Sequence, residues 1–205
     1  MTASPWGPWD PMGPEDVATL LAGFTGPWWI AGGWAIEAFV GGPFREHSDV
    51  DIGLRREDQV AMQTYLGGWE LHAVDPPGTL RAWQPGELLP AGVHDIWARP
   101  RPNAAWRFQL MLNETKGDDW VFRRDARIRR ELGSCLRLRG GIPYLAPEIQ
   151  LLFKSKSPRP KDAADFEAAL PMLGATQRDW LAEALGITDP GNPWRFRLTE
   201  PSGIG

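Results

Sequence analysis

The strongest constraint in the sequence is residues 47–54, in which apolar and polar side chains alternate. Side chains of a β-strand point to opposite faces in turn, so the pattern predicts a strand with one face in a core. The mostly apolar face comprises Ser48, Val50, Ile52 and Leu54, and the other face carries His47, Asp49 and Asp51. Two carboxylates two positions apart repel each other when both are ionised, which predicts a cation beside them.

Hard divalent ions with oxygen ligands suit such a pair, and magnesium is the commonest where phosphates are handled. Just upstream, an apolar run at 28–31 predicts a short strand, and 34–40 has helical spacing. Gly32 and Gly33 join the two, and a glycine turn that opens a helix offers backbone N–H groups to phosphate. A phosphate cradle beside a metal-binding acid pair is what transfer of a nucleotidyl group from a nucleoside triphosphate requires.

The motif Gly32-Gly33-Trp34-Ala35-Ile36-Glu37, followed by Arg45-x-His47-x-Asp49-x-Asp51, resembles the signature of the DNA polymerase β-like nucleotidyltransferase superfamily. Within it, the motif is similar to the branch of aminoglycoside and lincosamide nucleotidyltransferases. The resemblance implies magnesium-dependent transfer of a nucleoside monophosphate, AMP from ATP, to a hydroxyl of a small, aminoglycoside-like acceptor, and hence antibiotic resistance. It also implies that Gly32, Gly33 and Trp34 lie at the nucleotide. At the position of Glu37, many relatives carry Asp instead.

A third carboxylate is needed to hold the metal near the attacking hydroxyl or to accept its proton. Asp95, within a short apolar run, is the first candidate as metal ligand and catalytic residue. Glu114, at the end of the next apolar run, is the alternative catalytic base. The sequence leaves this choice open.

Three further side chains are candidates for nucleotide binding. Arg45 has the charge and fork-shaped donors for a triphosphate, although it could instead pair with Glu46 or Glu37. His47 could reach a phosphate or a metal-bound water, or act as a hydrogen-bonding support. Lys154 lies in a segment similar to the C-terminal element of the family, in which a lysine reaches the triphosphate.

The order of the predicted elements indicates an α+β fold, a mixed sheet with flanking helices. We expect a nucleotidyltransferase core over 1–140, beginning with an irregular arm over 1–14, and a helical region over 141–205. The predicted helices cover 15–24, 34–40, 55–66, 147–156, 161–170 and 176–185. Besides 28–31 and 48–54, the predicted strands cover 69–74, 79–83, 93–98 and 107–113.

Composition narrows the range of functions. The 205-residue chain has a net charge of −4, which argues against extended nucleic-acid binding as its main task. The single cysteine, Cys135, cannot form an internal disulfide, and we interpret it as a bystander thiol in a reducing compartment. No apolar run is long enough to span a membrane and no secretory signal is visible, so we expect a cytoplasmic protein.

Two alternative functions remain from the sequence. The basic segment 120–130 is interpreted as a solvated edge strand or turn, or as a rim that attracts a phosphorylated or acidic substrate. It would also suit a toxin-type nucleotidyltransferase that acts on tRNA or protein. A non-catalytic nucleotide-binding module is the other alternative. The sequence does not fix the acceptor, the nucleotide base or the oligomeric state.

Overall fold

The computed structural model describes residues 6–199. The parts of the predicted arm and helical region at 1–5 and 200–205 lie outside the described residues. The elements in chain order are α1 (Pro14–Leu20), β1 (Trp28–Ile30), α2 (Gly32–Val40), β2 (Asp51–Arg55), α3 (Gln59–Tyr65), β3 (Glu70–Val74), β4 (Leu80–Ala82), β5 (Asp95–Arg99), β6 (Phe108–Lys116), β7 (Asp119–Val121), β8 (Arg129–Glu131), β9 (Leu136–Arg139), β10 (Ile142–Leu145), α4 (Pro147–Lys154), α5 (Pro160–Ala169), α6 (Ala175–Thr188) and α7 (Pro193–Thr199).

The strands form one mixed sheet in the order β4-β3-β5-β6-β2-β1-β10-β9, and β7 and β8 extend it from the end of β6. The pairs β2–β6 and β1–β10 are parallel, and the other pairs are antiparallel. With helices flanking this sheet, the predicted α+β class is confirmed. The division at residue 140 remains a prediction. The strand β10 pairs with β1, and the C-terminal helices begin at Pro147.

The alternating segment forms a strand that is shorter than predicted. Val50, Ile52 and Leu54 are fully buried, as expected for the core face. Ser48, however, is exposed and β2 begins only at Asp51, so the prediction that Ser48 joins this face is wrong. The carbonyl of Asp49 accepts a hydrogen bond from the Trp34 indole at 3.2 Å instead of pairing with a neighbouring strand.

The helix predicted over 55–66 also begins later than expected. Arg55 still pairs with Asn113 of β6, and a 3₁₀ turn at Arg56–Asp58 separates the strand from α3. The guanidinium of Arg55 closes this turn on Asp58, with Nε 2.6 Å from Oδ2. Local side-chain bonding therefore delays the helix, which the apolar periodicity alone does not reveal.

The basic segment contributes to the core as well as to the surface. Trp120 and Phe122 are buried, and the side chain of Trp120 donates to Asn113 Oδ1 at 3.1 Å. The turn between β7 and β8 carries Arg123 and Arg124, and both line a cleft beside β2. A purely solvated edge strand or turn is therefore an incomplete description of this segment.

Cys135 has the environment of an inert thiol. It is fully buried, and burial raises the pKa of its thiol to about 12. In the part of the chain that the structure describes, no helix is long and apolar enough to cross a membrane.

Candidate active site

The glycine turn places Asp51 directly against the start of α2. Gly32 has φ +68°, a conformation that favours glycine. A Cβ atom on Gly32 would also overlap the Asp51 carboxylate, whose Cγ would lie 3.1 Å away. The backbone N–H of Ala31 donates to the Asp51 carbonyl at 2.8 Å, which fixes this arrangement. The predicted proximity of the glycine pair and the acid strand is therefore present.

One backbone N–H of this turn, a candidate donor to phosphate, already has a hydrogen-bond partner within the protein. The N–H of Gly32 donates to Gln150 Oε1 of α4 at 2.8 Å, a contact that joins residues 118 positions apart. Helix N-termini bind anions through such N–H groups. Gln150 thus lies where a phosphate oxygen would compete for the same donor.

The second glycine contacts the two polar residues that precede the acid pair. A Cβ on Gly33 would overlap the guanidinium of Arg45 and would lie 2.7 Å from His47 Nδ1. Arg45 forms two hydrogen bonds to Asp165 of α5, from Nε to Oδ1 at 2.6 Å and from Nη2 to Oδ2 at 3.0 Å. These bonds raise the pKa of Arg45.

The alternative carboxylate partners suggested from sequence for Arg45 are therefore wrong. Glu46 accepts only through its backbone carbonyl, and Glu37 pairs with His47. The actual partner, Asp165, is 120 residues away along the chain. A role for Arg45 at the triphosphate remains a prediction.

Trp34 and Glu37 of α2 contact the segment that leads into β2. The ring of His47 stacks on Trp34 at 4.2 Å, and its Nε2 lies 2.8 Å from Glu37 Oε2. The Trp34 indole in turn binds the carbonyl of Asp49. These are the contacts of a hydrogen-bonding support, and they give Glu37 a positioning role that the sequence did not suggest.

Three carboxylates interact electrostatically at the sheet. The pKa of Asp51 is raised to about 7, chiefly by burial and also by the negative charges of Asp49 and Asp95, whereas Lys154 and Lys161 oppose the shift. Asp51 pairs with Gln109 and Asp95 pairs with Met111, two residues on along β6, so both acids share one face of the sheet. Asp95 Oδ1 is buried and has no hydrogen-bond partner in the described chain.

These acids fit the oxygen chemistry of magnesium without forming a complete cage. Among residues 6–199, no group of three or more His, Cys, Asp or Glu side chains is gathered as a metal site. Magnesium commonly uses one or two carboxylates together with substrate phosphates and water. Asp49 and Asp51 suit that arrangement, and Asp95 as a third ligand stays a prediction.

Glu114, the alternative base, is bound by an arginine. Its Oε1 lies 2.6 Å from Arg56 Nε. Arg56 also donates to the carbonyl of Val93 at 3.0 Å and lies 2.9 Å from His94 Nδ1, so it fixes the loop that leads into Asp95.

A cleft of about 310 Å³ opens beside Asp51 and Gly32. Trp29 forms part of it, and a Cβ on the neighbouring Gly53 would overlap the Trp29 indole. We call this the cationic cleft, because its basic lining consists of Arg123, Arg124, Lys154, Lys156 and Arg159. The predicted residue Lys154 is largely buried there and pairs with Asp162 at 3.0 Å and Asp165 at 2.8 Å.

Sequence reasoning missed Gln150 and Arg123 as parts of this site, and it gave Asp165, in the C-terminal element similar to that of the family, only a structural role. The packing of α4 and α5 against α2 brings Gln150 and Asp165 to the motif. The basic segment 120–130 was a signal for Arg123, but it did not distinguish one arginine from its neighbours.

Comparison with known proteins agrees with this fold. The sequence model of the aminoglycoside-2''-adenylyltransferase family matches residues 15–71. A 2''-aminoglycoside nucleotidyltransferase of Klebsiella pneumoniae is 49% identical over 45 residues, which is 20% of this chain and 25% of that protein. One of Escherichia coli is 42% identical over 52 residues, 24% of this chain and 29% of that protein. The matches thus span about a quarter of these relatives.

Two solved structures share the fold over most of the chain. The lincosamide antibiotic adenylyltransferase LnuA, solved with lincomycin bound, has a TM-score of 0.51 at 15% identity and covers 75% of this chain and 92% of its own. ANT(2'')-Ia in complex with adenylyl-2''-tobramycin has a TM-score of 0.52 at 14% identity and covers 84% and 95%.

The chain therefore shares the fold of these two adenylyltransferases. The resemblance to the aminoglycoside and lincosamide branch is confirmed by the family match, which includes both the glycine turn and the acid pair.

Proposed function

We propose that the protein is a magnesium-dependent nucleotidyltransferase that moves AMP from ATP to a hydroxyl of an aminoglycoside-like small molecule. One observation carries this proposal: the carboxylate of Asp51 lies against Gly32 at the wall of the cationic cleft. Acids that suit a metal thus adjoin a cleft that suits a polyphosphate.

On the donor side, Lys154 and Arg45 bind the triphosphate at the cationic cleft. Lys154 is the most buried of the lysines there and exchanges its contacts with Asp162 and Asp165 for a phosphate oxygen. Arg45, held by Asp165, keeps its charge beside Gly33, where the triphosphate meets the start of α2. Gly32 offers its N–H to the phosphate once Gln150 is displaced.

On the acceptor side, Asp95 is the base that we assign to the reaction. The acceptor hydroxyl loses its proton to Asp95 Oδ1, its oxygen bonds to the α-phosphorus, and the bond to the pyrophosphate oxygen breaks. Asp95 has a carboxylate oxygen without a partner in the described chain, whereas Glu114 is bound to Arg56. Magnesium held by Asp49 and Asp51 would neutralise charge on the phosphates and activate the hydroxyl.

The acceptor class rests on likeness and on charge. The matched relatives are aminoglycoside nucleotidyltransferases by name, and the related structures contain lincomycin or an adenylylated tobramycin. Aminoglycosides are polycations, and the acids at the site together with a net charge of −4 favour a cationic acceptor. We infer a product that carries AMP on one sugar hydroxyl.

The test is an assay of purified protein with ATP, magnesium and a panel of aminoglycosides and lincosamides. We expect pyrophosphate release and an acceptor whose mass increases by one AMP. The variant Asp51→Asn should lose both signals, whereas Glu57→Gln, at an exposed residue just beyond the same strand, should keep them. Label transferred to RNA or protein in place of the antibiotics would contradict the proposed acceptor class.

A further inference from the structure

Arg123 differs from the other basic residues of the cationic cleft. Its side chain is partly buried, yet within residues 6–199 it makes no hydrogen bond or ion pair, and its guanidinium lies 5.4 Å from the centroid of the Phe153 ring. The neighbouring Arg124 donates to the Phe153 carbonyl at 2.8 Å. Lys154 and Arg159 both pair with Asp162. Lys156 is exposed to solvent.

The charge of Arg123 is therefore poorly compensated by the protein. Burial lowers the pKa of its guanidinium, the acids Asp95 and Glu114 oppose this shift, and Arg56 adds to it. Glu114 is already bound to Arg56, so its charge is shared. A partly buried cation without a hydrogen-bonded anion is unfavourable, and chains that retain one gain from an anionic ligand.

We propose that Arg123 is a phosphate-binding residue for the polyphosphate of the nucleotide donor, a role outside the glycine and acid motifs. Its guanidinium lines the same cleft as Asp51 and Gly32, and its five donors fit two phosphate oxygens at once. During transfer it stabilises the negative charge of the phosphates without giving up a proton, since a guanidinium stays protonated in proteins. This inference rests on the proposed function for the identity of the ligand.

Its position identifies two parts of the donor that it could hold. Arg123 interacts electrostatically with Asp95, the proposed base beside the transferred α-phosphate. It also lines the same cleft as Lys154 of α4, which would bind the outer phosphates. Both parts of the donor are phosphate groups. AMP carries the α-phosphate and inorganic pyrophosphate corresponds to the outer phosphates, so binding of these two compounds distinguishes the two positions.

The experiment measures binding of pyrophosphate and of AMP, each with magnesium, by calorimetry and by thermal shift. The variant Arg123→Met keeps an unbranched side chain against Phe153 and removes the charge. We expect its affinity for one of the two ligands to fall about 10- to 100-fold, the effect of losing one or two charge-assisted hydrogen bonds. The ligand affected shows which phosphate Arg123 contacts.

Arg124→Met is the matched control, because Arg124 lines the same cleft but is held by the Phe153 carbonyl. We expect it to weaken binding by less than about threefold, the effect of a long-range charge alone. A second readout excludes a purely structural role: without ligand, Arg123→Met should melt at or above the wild-type temperature, because an uncompensated buried charge is gone.

Unchanged affinity of Arg123→Met for both ligands would overturn the inference, as would equal losses in both variants. Absence of binding of either ligand to the wild-type protein would overturn it too. None of these readouts needs an acceptor or turnover. If no antibiotic is adenylylated but phosphate binding still depends on Arg123, the proposed function fails and the phosphate site stands.

Discussion

The two sides of the cleft are built in different ways. On one side, β1, the glycine turn, α2 and β2 come from 28 consecutive residues, Trp28–Arg55, and the contacts among these elements are local. On the other side, the β7–β8 turn, α4 and the segment between α4 and α5 bring cations from distant parts of the chain. The side that carries Asp49 and Asp51, the acid side, is therefore formed by one continuous motif. The side that carries the basic residues, the cationic side, is assembled by folding from separate segments.

The largest effect should come from the acid strand. Asp51→Asn removes a proposed metal ligand, and we expect kcat/KM to fall by about 10³-fold, since metal catalysis contributes several kcal/mol. Steady-state assays of pyrophosphate release measure it. Glu57→Gln is the control, because the side chain of Glu57 is exposed and pairs with Arg55, away from the acids of the site. Full turnover in Asp51→Asn would remove the metal role from this residue.

Substitutions of Gly32 and Gly41 distinguish the effect of backbone strain from that of steric overlap with Asp51. Gly32 and Gly41 both have positive φ, but a Cβ on Gly32 would overlap Asp51, whereas a Cβ on Gly41 meets no atom within 4 Å. Gly41→Ala should lower the free energy of unfolding by about 1–2 kcal/mol through backbone strain alone. Gly32→Ala should add a loss of activity of about 100-fold, because it moves the carboxylate. Chemical denaturation and kcat/KM measure the two effects.

These two glycines illustrate how much the sequence predicts. Gly32 and Asp51 lie within one short segment, so period-two alternation and turn chemistry were enough to predict their contact. The same rules placed Ser48 and Asp49 on the strand, which begins only at Asp51, and the Asp49 carbonyl instead accepts a hydrogen bond from the Trp34 indole.

The cationic side could not be derived in this way. The bond from Gly32 to Gln150 and that from Arg45 to Asp165 join residues 118 and 120 positions apart. No periodicity in the sequence encodes such a separation, and the packing of α4 and α5 on α2 decides it. The motif thus predicted that the glycine turn and Asp51 lie together, and the resemblance predicted Lys154, whereas only the fold shows that Gln150 and Asp165 reach the motif.

The pH dependence of stability provides the next test of the acid side. The folded-state pKa of Asp51, about 7, lies above its ordinary value of 3.8, so folding favours the protonated form. Its contribution to stability is fully present below about pH 4 and is lost as the pH rises through 7. We expect the melting temperature of the metal-free protein to fall over this interval, and Asp51→Asn to flatten the curve.

Magnesium should reverse this loss, because it binds the ionised carboxylate and releases the proton. Thermal melts between pH 5 and 8, with and without magnesium chloride, measure both effects. A wild-type curve that matches Asp51→Asn at every pH would show that this carboxylate titrates normally.

On the cationic side, variants of Lys154 and Lys156 distinguish a contribution to stability from a contribution to nucleotide binding. Lys154 is largely buried between Asp162 and Asp165, so Lys154→Met leaves two buried acids with fewer partners and should cost about 1–3 kcal/mol of stability. It should also raise KM for ATP. Lys156→Met removes an exposed charge from the same cleft and should change stability by less than about 0.5 kcal/mol. Equal losses of stability would show that burial of Lys154 is unimportant.

The smallest effect concerns the contact that joins the two sides. Gln150 accepts from the Gly32 N–H at 2.8 Å, and Gln150→Leu should lower stability by about 1 kcal/mol through loss of this bond. Because the same N–H is the proposed phosphate donor, removing its internal competitor should tighten binding of magnesium–ATP by a few-fold, measured by calorimetry. A loss of affinity of tenfold or more would instead make Gln150 a nucleotide ligand, and the acid side would then depend on the distant helices for its own phosphate contact.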